Sequence, residues 1–341
     1  GTRMGMSASR MDRVRQCHFG YFMQYGLRAK ERRPAGFEAP EIGTFLHYLL
    51  ENTAREVAGS GGWAAVKTPQ LHAMVRKYID LYIRDEIPGY EEKSARFRYL
   101  FGRLRTTAED IVDRMAEELA ESDFKPVAFE LGFGGRDGTL PAITIQEGDA
   151  TLSVSGKVDR VDGWLHDGKL YLRVVDYKTG RKSFDLSDVR YGLGIQMLLY
   201  LFTLEKEGQS CFGYPIVPAG VLYHPARDLI LKADRDITPE ALRKAMDREL
   251  RRDGMVLGDP EVLRAMEHSA LEAPCFLPIQ VSKDGGISGG VATAAQLGRL
   301  GQYVEKLLHQ ITRELRQGNI DADPCWRGPQ ESACTYCDFA S

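Results

Sequence analysis

The sequence predicts a mixed α/β fold, and three observations carry that reading. Apolar, β-branched runs cluster between about residues 126 and 223, with the period-two alternation of strands. Among them the pattern changes to a helical period, roughly Leu186 to Lys206. Long helical stretches flank this block on both sides. The order is helix, three or four strands, helix, strand. Residues 1–122 form a helical part, 123–234 the strand-rich core, and 235–341 a helical C-terminal part with a cysteine tail.

Composition sets the limits. A chain of 341 residues holds one large or two ordinary domains, and we read it as a single one. At 43% hydrophobic and 27% charged it is an ordinary globular chain with length enough for a core. A net charge of −3 neither favours nor excludes nucleic acid, because a local basic groove matters more than the sum. The longest uncharged apolar run, Tyr191 to Leu204, is too short to span a membrane. No signal-peptide pattern opens the chain, so a cytoplasmic location is expected. The abrupt start and a stop at Ser341 in mid-motif suggest a C-terminal fragment of a longer protein. Of the six cysteines, Cys334 and Cys337 have metal-ligand spacing. Cys211 and Cys275 sit among apolar residues and are expected to be buried thiols, and disulfides are not expected.

The elements follow in order. Ser9 is a reasonable N-cap for a helix to about Arg28. The basic run Arg28 to Pro34 is either a solvated helix end or a contact to DNA backbone. A second helix opens at Gly43, and His47 and Glu51 share one face of it. A lone helical histidine is more often structural than a ligand. After the Gly59–Gly62 turn come helices over Pro69–Ile87 and Lys93–Glu121. The latter interleaves Arg96, Arg98, Arg103 and Arg105 with Phe97, Tyr99 and Phe101. That pattern suits a single nucleic-acid strand or, more plainly, core packing with arginines outside. Strands are expected at Phe129–Phe133, Ala142–Gln146, Leu152–Val161, Leu172–Tyr177, Tyr214–Tyr223 and Leu229–Lys232. Helices over Pro239–Arg251 and Pro260–Glu267 are joined by a short apolar connection, Gly254–Leu257. Phe276–Val281 reads as a final edge strand, and Ala292–Gln317 as a long helix closed by Gly318.

The chemistry concentrates in one hairpin and the helix after it. Asp176 and Lys178 are two apart in a strand run, so both side chains share a face. The preceding strand delivers Asp159, and a polar turn containing Gly168 joins the two. Two carboxylates and a lysine at one hairpin end suit a hard cation beside a positive group. Gln196 and Tyr200, four apart, share a helix face.

These residues, as Gly156-x-x-Asp159-Arg160-x-Asp162, Asp176-Tyr177-Lys178-Thr179-Gly180 and Gln196-x-x-x-Tyr200, resemble the PD-(D/E)xK nuclease core in its RecB-type form. An isolated D-x-K triplet is common; three motifs in this order on strand, strand and helix are specific. The plain alternative is a surface hairpin with ordinary ion pairs. The resemblance implies a restriction-endonuclease-like core, a central mixed sheet flanked by helices. It implies that His47, Asp159, Asp176 and the Tyr177 carbonyl hold Mg²⁺ or Mn²⁺. Lys178 would position the attacking water, and Gln196 and Tyr200 would orient Lys178 or the DNA backbone. His47 lies in the G-x-x-x-H-x-x-x-E pattern of Gly43 to Glu51, where Glu51 orients the histidine or pairs with a cation. Glu130 lies where such nucleases often carry an upstream acid, or is a solvent-facing strand residue.

A narrower resemblance covers nearly the whole chain. One early cysteine and a late CxxC around a nuclease core resemble the AddB-type nucleases, as do Ser7–Arg10, Tyr21-Phe22-x-x-Tyr25-Gly26-Leu27 and Ala333–Phe339. The resemblance implies that Cys17, Cys334 and Cys337 ligate a [4Fe–4S] cluster. The fourth ligand normally follows the CxxC; Cys325 can substitute, although its spacing departs from the pattern. Thiolates also suit zinc. The cluster would act as a staple, stabilising by something on the order of 4–5 kcal/mol if it resembles a disulfide closing a similar loop. Without it, the tail after Gly318 has little apolar content to anchor it. The resemblance implies a Mg-dependent DNA exonuclease, part of a helicase–nuclease that processes double-strand ends for recombination, with an AddA-type partner. No Walker A pattern is present, so ATP-driven unwinding would come from elsewhere. Two other classes compete: a catalytically silent DNA-binding scaffold of this fold, and a zinc-binding interaction module. The complete acidic and lysine set argues against the scaffold, and metal analysis discriminates the module.

Overall fold

Asp167 and Gly168 both take positive φ, 47° and 71°. This is the twist that a two-residue loop needs to join two right-twisted strands. The hairpin it closes is the centre of the fold. In the computed structural model, residues 2–29, 39–135, 138–180, 183–227, 237–328 and 331–340 are described.

The chain opens with β1 (Arg3–Ser7), α1 (Ala8–Gln16), the one-turn α2 (His18–Tyr21) and a π-helical turn over Phe22–Gly26. Three long helices follow, α3 (Ala39–Gly59), α4 (Thr68–Glu86) and α5 (Ala95–Ala120). Next come β2 (Lys125–Phe133), β3 (Ile143–Glu147), β4 (Ala150–His166) and β5 (Lys169–Lys178). After α6 (Leu186–Arg190) and α7 (Gln196–Phe212) the chain enters β6 (Ile216–Pro225). The remainder is α8 (Pro239–Leu250), β7 (Asp253–Leu257), α9 (Pro260–Met266), β8 (Ile279–Val281), β9 (Ile287–Gly289), β10 (Val291–Ala292) and α10 (Ala294–Arg316).

The main sheet has eight strands, in the order β1-β4-β5-β6-β7-β10, with β2 and β3 also paired to β4. The first half of β4 pairs with β1 and β3, and the second half with β2 and β5. β5 and β6 run parallel, with α6 and α7 as the crossover. Two hydrophobic cores form. The larger packs α1, α7 and α10 on the sheet through residues such as Met11, Leu198, Val174 and Leu308. The smaller joins α3, α4 and α5 through Phe45, Leu49, Val75, Phe101 and Met115, and it includes Tyr177 of β5 and Ala226 just after β6.

Several sequence expectations change. The first helix does not run from Ser9 to Arg28: Cys17 is extended, with φ −173°, and splits it, while Ser7 holds the N-cap position. Residues 1–122 are not wholly helical, since β1 is a strand fixed by its parallel partner β4. The expected helix over Leu186–Lys206 breaks into α6 and α7, because Gly192 and Gly194 take positive φ of 79° and 66°. Gly254–Leu257 is a strand paired with β6, not a connection. The C-terminal part therefore adds β7 and β10 to the main sheet. Ile279–Val281 is no edge of that sheet but pairs with β9 in a separate ribbon. The proposed strand at Leu229–Lys232 lies outside the described residues, as does most of the basic run to Pro34. Cys211 is exposed and Cys275 only half-buried, so neither is a fully buried thiol. No described helix is long and apolar enough to cross a membrane.

The tail is better held than its composition suggested. Phe19 N donates to Asp321 O at 2.9 Å, and Cys325 N to Gln16 O at 2.7 Å. The buried His18 ring lies 2.7 Å from Asp323 and 3.2 Å from Glu314. Polar contacts replace the missing apolar anchor.

Candidate active site

Strand register places three carboxylates at one level of the sheet. In the β2–β4 ladder, Phe129 pairs with Arg160 and Leu131 with Val158, so Glu130 lies opposite Asp159. The β4–β5 ladder ends at Arg160 with Val175, so Asp159 and Asp176 come next along the two strands. Beyond that pair the Asp159 carboxylate takes over, accepting the Tyr177 N–H at 2.8 Å. Glu130 itself adopts φ of +49°, a left-handed conformation that is uncommon outside glycine. Like charges facing each other across strands destabilise a sheet unless something positive lies between them.

Two cations of the chain meet that need. His47, from the middle of α3, places Nδ1 3.3 Å from Asp159 Oδ1 and 3.8 Å from Glu130 Oε1. Lys157 Nζ lies 2.7 Å from Glu130 Oε2. Burial alone would lower the His47 pKa, but Asp159 and Glu130 outweigh it and push it up to about 10. Burial would raise the Glu130 carboxyl, yet His47 and Lys157 hold it below its ordinary value. One ligand atom from each of His47, Glu130 and Asp159 fits within 4.8 Å of the others. This is a nitrogen and two oxygens around a point where the fold already gathers positive charge. The donor set fits a divalent cation.

Asp176 and Lys178 pair with each other on the neighbouring strand, Nζ to Oδ2 at 2.5 Å. Asp176 is 7% exposed, while Lys178 is only half-buried. Asp176 is at the right level of the sheet but does not join the tight group formed by His47, Glu130 and Asp159. The Tyr177 side chain points to the opposite face, as strand alternation requires. Its hydroxyl accepts from Arg160 at 3.1 Å and donates to Met115 Sδ at 3.4 Å, and burial pushes its pKa up to about 12. Glu51 pairs with Arg55 at 2.9 Å, so it meets a cation of its own helix rather than His47.

The Gln196 side chain donates to the Tyr200 hydroxyl at 3.0 Å. The Tyr200 ring is stacked on Phe133 at 5.3 Å and 4°. The pair meets β4, whose Lys157 backbone also hydrogen-bonds the hydroxyl, rather than Lys178.

Sequence reasoning did not single out the layer beneath. Arg160 and Asp162 are fully buried and ion-paired at 2.9 Å, and Arg173 Nε reaches Asp162 at 2.9 Å. Arg173 and Arg252 then meet Glu118 of α5 at 3.1 and 2.6 Å. This network explains the arginine and second aspartate of the Gly156–Asp162 motif: they brace the strand on the face away from the site. Lys157 was also missed, although it stands two residues before Asp159 and therefore on the same face.

Cys17, Cys325 and Cys337 each have a contact in or just after α1, but no three cysteines place their sulfurs within 4.8 Å of one another among the described residues. Cys337 Sγ accepts from Arg13 at 3.5 Å, and Arg13 holds the thiol below its ordinary pKa although burial would raise it. Cys17 Sγ accepts from Gly20 N at 3.5 Å. Cys325 stands beside Gln16 through its backbone, and Cys334 is exposed.

A core in which acids from adjacent strands meet a lysine, braced by a Q-x-x-x-Y helix, defines a nuclease of one superfamily. The chain belongs to the PD-(D/E)XK nuclease superfamily, whose profile matches residues 5–341. It is similar to the B-subunit of the ATP-dependent helicase/deoxyribonuclease of Acetivibrio thermocellus, with 34% identity over 98% of this chain and 29% of that protein. The same-named proteins of Caldanaerobacter subterraneus subsp. tengcongensis and Clostridium tetani are 34% and 31% identical over 100% of this chain. The chain spans about 30% of the length of these relatives.

Proposed function

We propose that the chain is the divalent-metal-dependent deoxyribonuclease domain of an AddAB-type helicase–nuclease that processes DNA double-strand ends for recombinational repair. The observation that carries this reading is the level at which Glu130, Asp159 and Asp176 stand across three strands, with Lys178 two residues on. The names of the relatives support deoxyribonuclease activity and a partnership between subunits, here with an AddA-type helicase. We treat residues 1–341 as one nuclease domain.

His47, Asp159 and Glu130 would hold Mg²⁺ or Mn²⁺, with Asp176 and the Tyr177 carbonyl as further ligands. When bound, the cation supplies charge neutralisation at the scissile phosphate and acidifies water. Lys178, held by Asp176, donates hydrogen bonds to the attacking water and to the phosphoryl oxygens as charge develops. Gln196 and Tyr200 keep β4, and so Asp159, in place. The Arg160–Asp162–Arg173 layer fixes Tyr177 between the two reacting residues.

Cys17, Cys334 and Cys337 would bind a [4Fe–4S] cluster, with Cys325 as the candidate fourth ligand. Support comes from the Arg13 guanidinium, which favours the thiolate at Cys337, and from the backbone bond that brings Cys325 to the end of α1.

The test is cleavage of end-labelled single-stranded DNA with and without Mg²⁺. Cutting should require the cation and disappear in Asp176→Ala and Lys178→Ala while both variants melt like the parent. Full activity in Lys178→Ala would sink the assignment.

A further inference from the structure

The arginine-rich stretch of α5 does not spend its apolar side chains on the core alone. Phe101 is buried, yet Leu100 is 48% exposed on the same turn. Phe97, Leu100 and Leu104, at helical spacing, line a cleft of about 550 Å³ together with Ile42 of α3. Arg96, Arg103 and Arg227 stand among these apolar walls. Thr179 and Gly180 complete the lining, so the cleft begins one residue beyond Lys178. Gly180 and Arg227 also line a smaller cleft of about 240 Å³ that contains Lys178 itself. The path from the lysine to the arginines is therefore shared surface.

Apolar walls interrupted by guanidinium groups match the two halves of a nucleotide. A base has an apolar π-face, and its phosphates are anionic. The cleft is within the ~300–1,000 Å³ that ligand pockets usually occupy. A base inside a duplex is stacked and paired and reaches such a cleft only by being turned out, at a cost of a few kcal/mol. We infer that this cleft receives an unpaired base of the DNA strand whose phosphate lies at Lys178. The inference rests on the nuclease reading for the position of that phosphate.

The experiment compares two oligomers of equal length and charge, oligothymidylate and its fully abasic counterpart. Binding to the chain is followed by fluorescence anisotropy in the presence of a chelator, so that nothing is cut. The parent should bind the base-bearing oligomer roughly 5- to 100-fold more tightly, the range expected for stacking of a base. Leu100→Glu should bring that preference close to one. Tyr99→Glu, which adds the same charge at a 67% exposed neighbour outside the cleft lining, should keep it. Arg96→Ala should weaken both oligomers alike. The inference is overturned if the parent shows no preference, if Leu100→Glu retains it, or if blunt duplex binds as tightly as oligothymidylate. The parent comparison needs no variant, so a misfolded Leu100→Glu protein does not rescue the idea. Base preference without cleavage in Mg²⁺ supports the cleft and refutes the nuclease reading; cleavage without base preference refutes the cleft alone.

Discussion

Replacing Gly156 with alanine should drive apart two motifs that meet in space. A Cβ at position 156 would lie 2.4 Å from Tyr200 Oη, 2.6 Å from Cε1 and 2.8 Å from Cζ. Gly156 is not among the glycines with positive φ, so the requirement is room and not backbone conformation. Tyr200 has little freedom to yield. It is 2% exposed, its ring is stacked on Phe133, and its hydroxyl is bonded to Gln196. Overpacking of this kind costs about 1–3 kcal/mol. For a chain of this size that is a fall in Tm of roughly 1–4 °C. Calorimetry should compare Gly156→Ala, Tyr200→Leu and the double variant. Removing the ring opens the space, so the alanine should cost far less in the Tyr200→Leu background, with a coupling of about 1 kcal/mol or more. Nuclease activity should fall with Gly156→Ala, because β4 also carries Asp159. A Gly156→Ala protein that melts with the parent, or that loses as much stability in both backgrounds, would refute the packing argument.

Other outcomes follow from the same geometry. Glu118→Ala leaves buried Arg252 without its carboxylate, strips Arg173 of one of its two, and should cost about 3–5 kcal/mol in denaturant unfolding. Burial would raise the Glu118 pKa, but Arg252, Arg173 and Arg160 hold it far below its ordinary value of 4.5. Its contribution is therefore complete above that value and lost as pH falls further. The parent should lose stability below about pH 4.5 more steeply than Glu118→Gln, and parallel slopes would count against the network. The His47 proton is held up to about pH 10 by the carboxylates a cation would occupy, so Mn²⁺ binding followed by calorimetry should release a proton and tighten as pH rises from 6 to 8. His47→Ala should abolish that proton release, and unchanged release would return His47 to a structural role. Cys17→Ser should remove the visible absorbance of thiolate-bound iron from anaerobically purified protein and lower its Tm; unchanged colour and melting would defeat the staple.

The strand part of the site was legible because period two is unambiguous: Asp176, Lys178 and Asp159 needed only a hairpin to meet. Glu130 was not legible to the same degree, because one strand residue carries no register. Its place opposite Asp159 depends on the β2–β4 ladder. Glu51 shares a face with His47 as the helical period requires, but Arg55 one turn on captures it. Short strands such as β7 and β10 exist through their partners, so five and two residues of sequence could not announce them. The break between α6 and α7 was written in Gly192 and Gly194, yet apolar periodicity across them concealed it. Arg160 and Asp162 were visible only as letters of a motif, and Arg173 not at all, because a charge in a strand reads as solvent-facing until the helix covering it is known.

Tyr177 belongs to the small core of α3, α4 and α5, while the residues on either side of it face the site. The middle residue of the Asp176-Tyr177-Lys178 triplet is thus a plug in another layer. That ties the hairpin to the three helices: the Tyr177 ring is packed in their core, while Asp176 and Lys178 point to the other face of the strand. A partly assembled chain, with the helices undocked, would lack both His47 and the seated triplet.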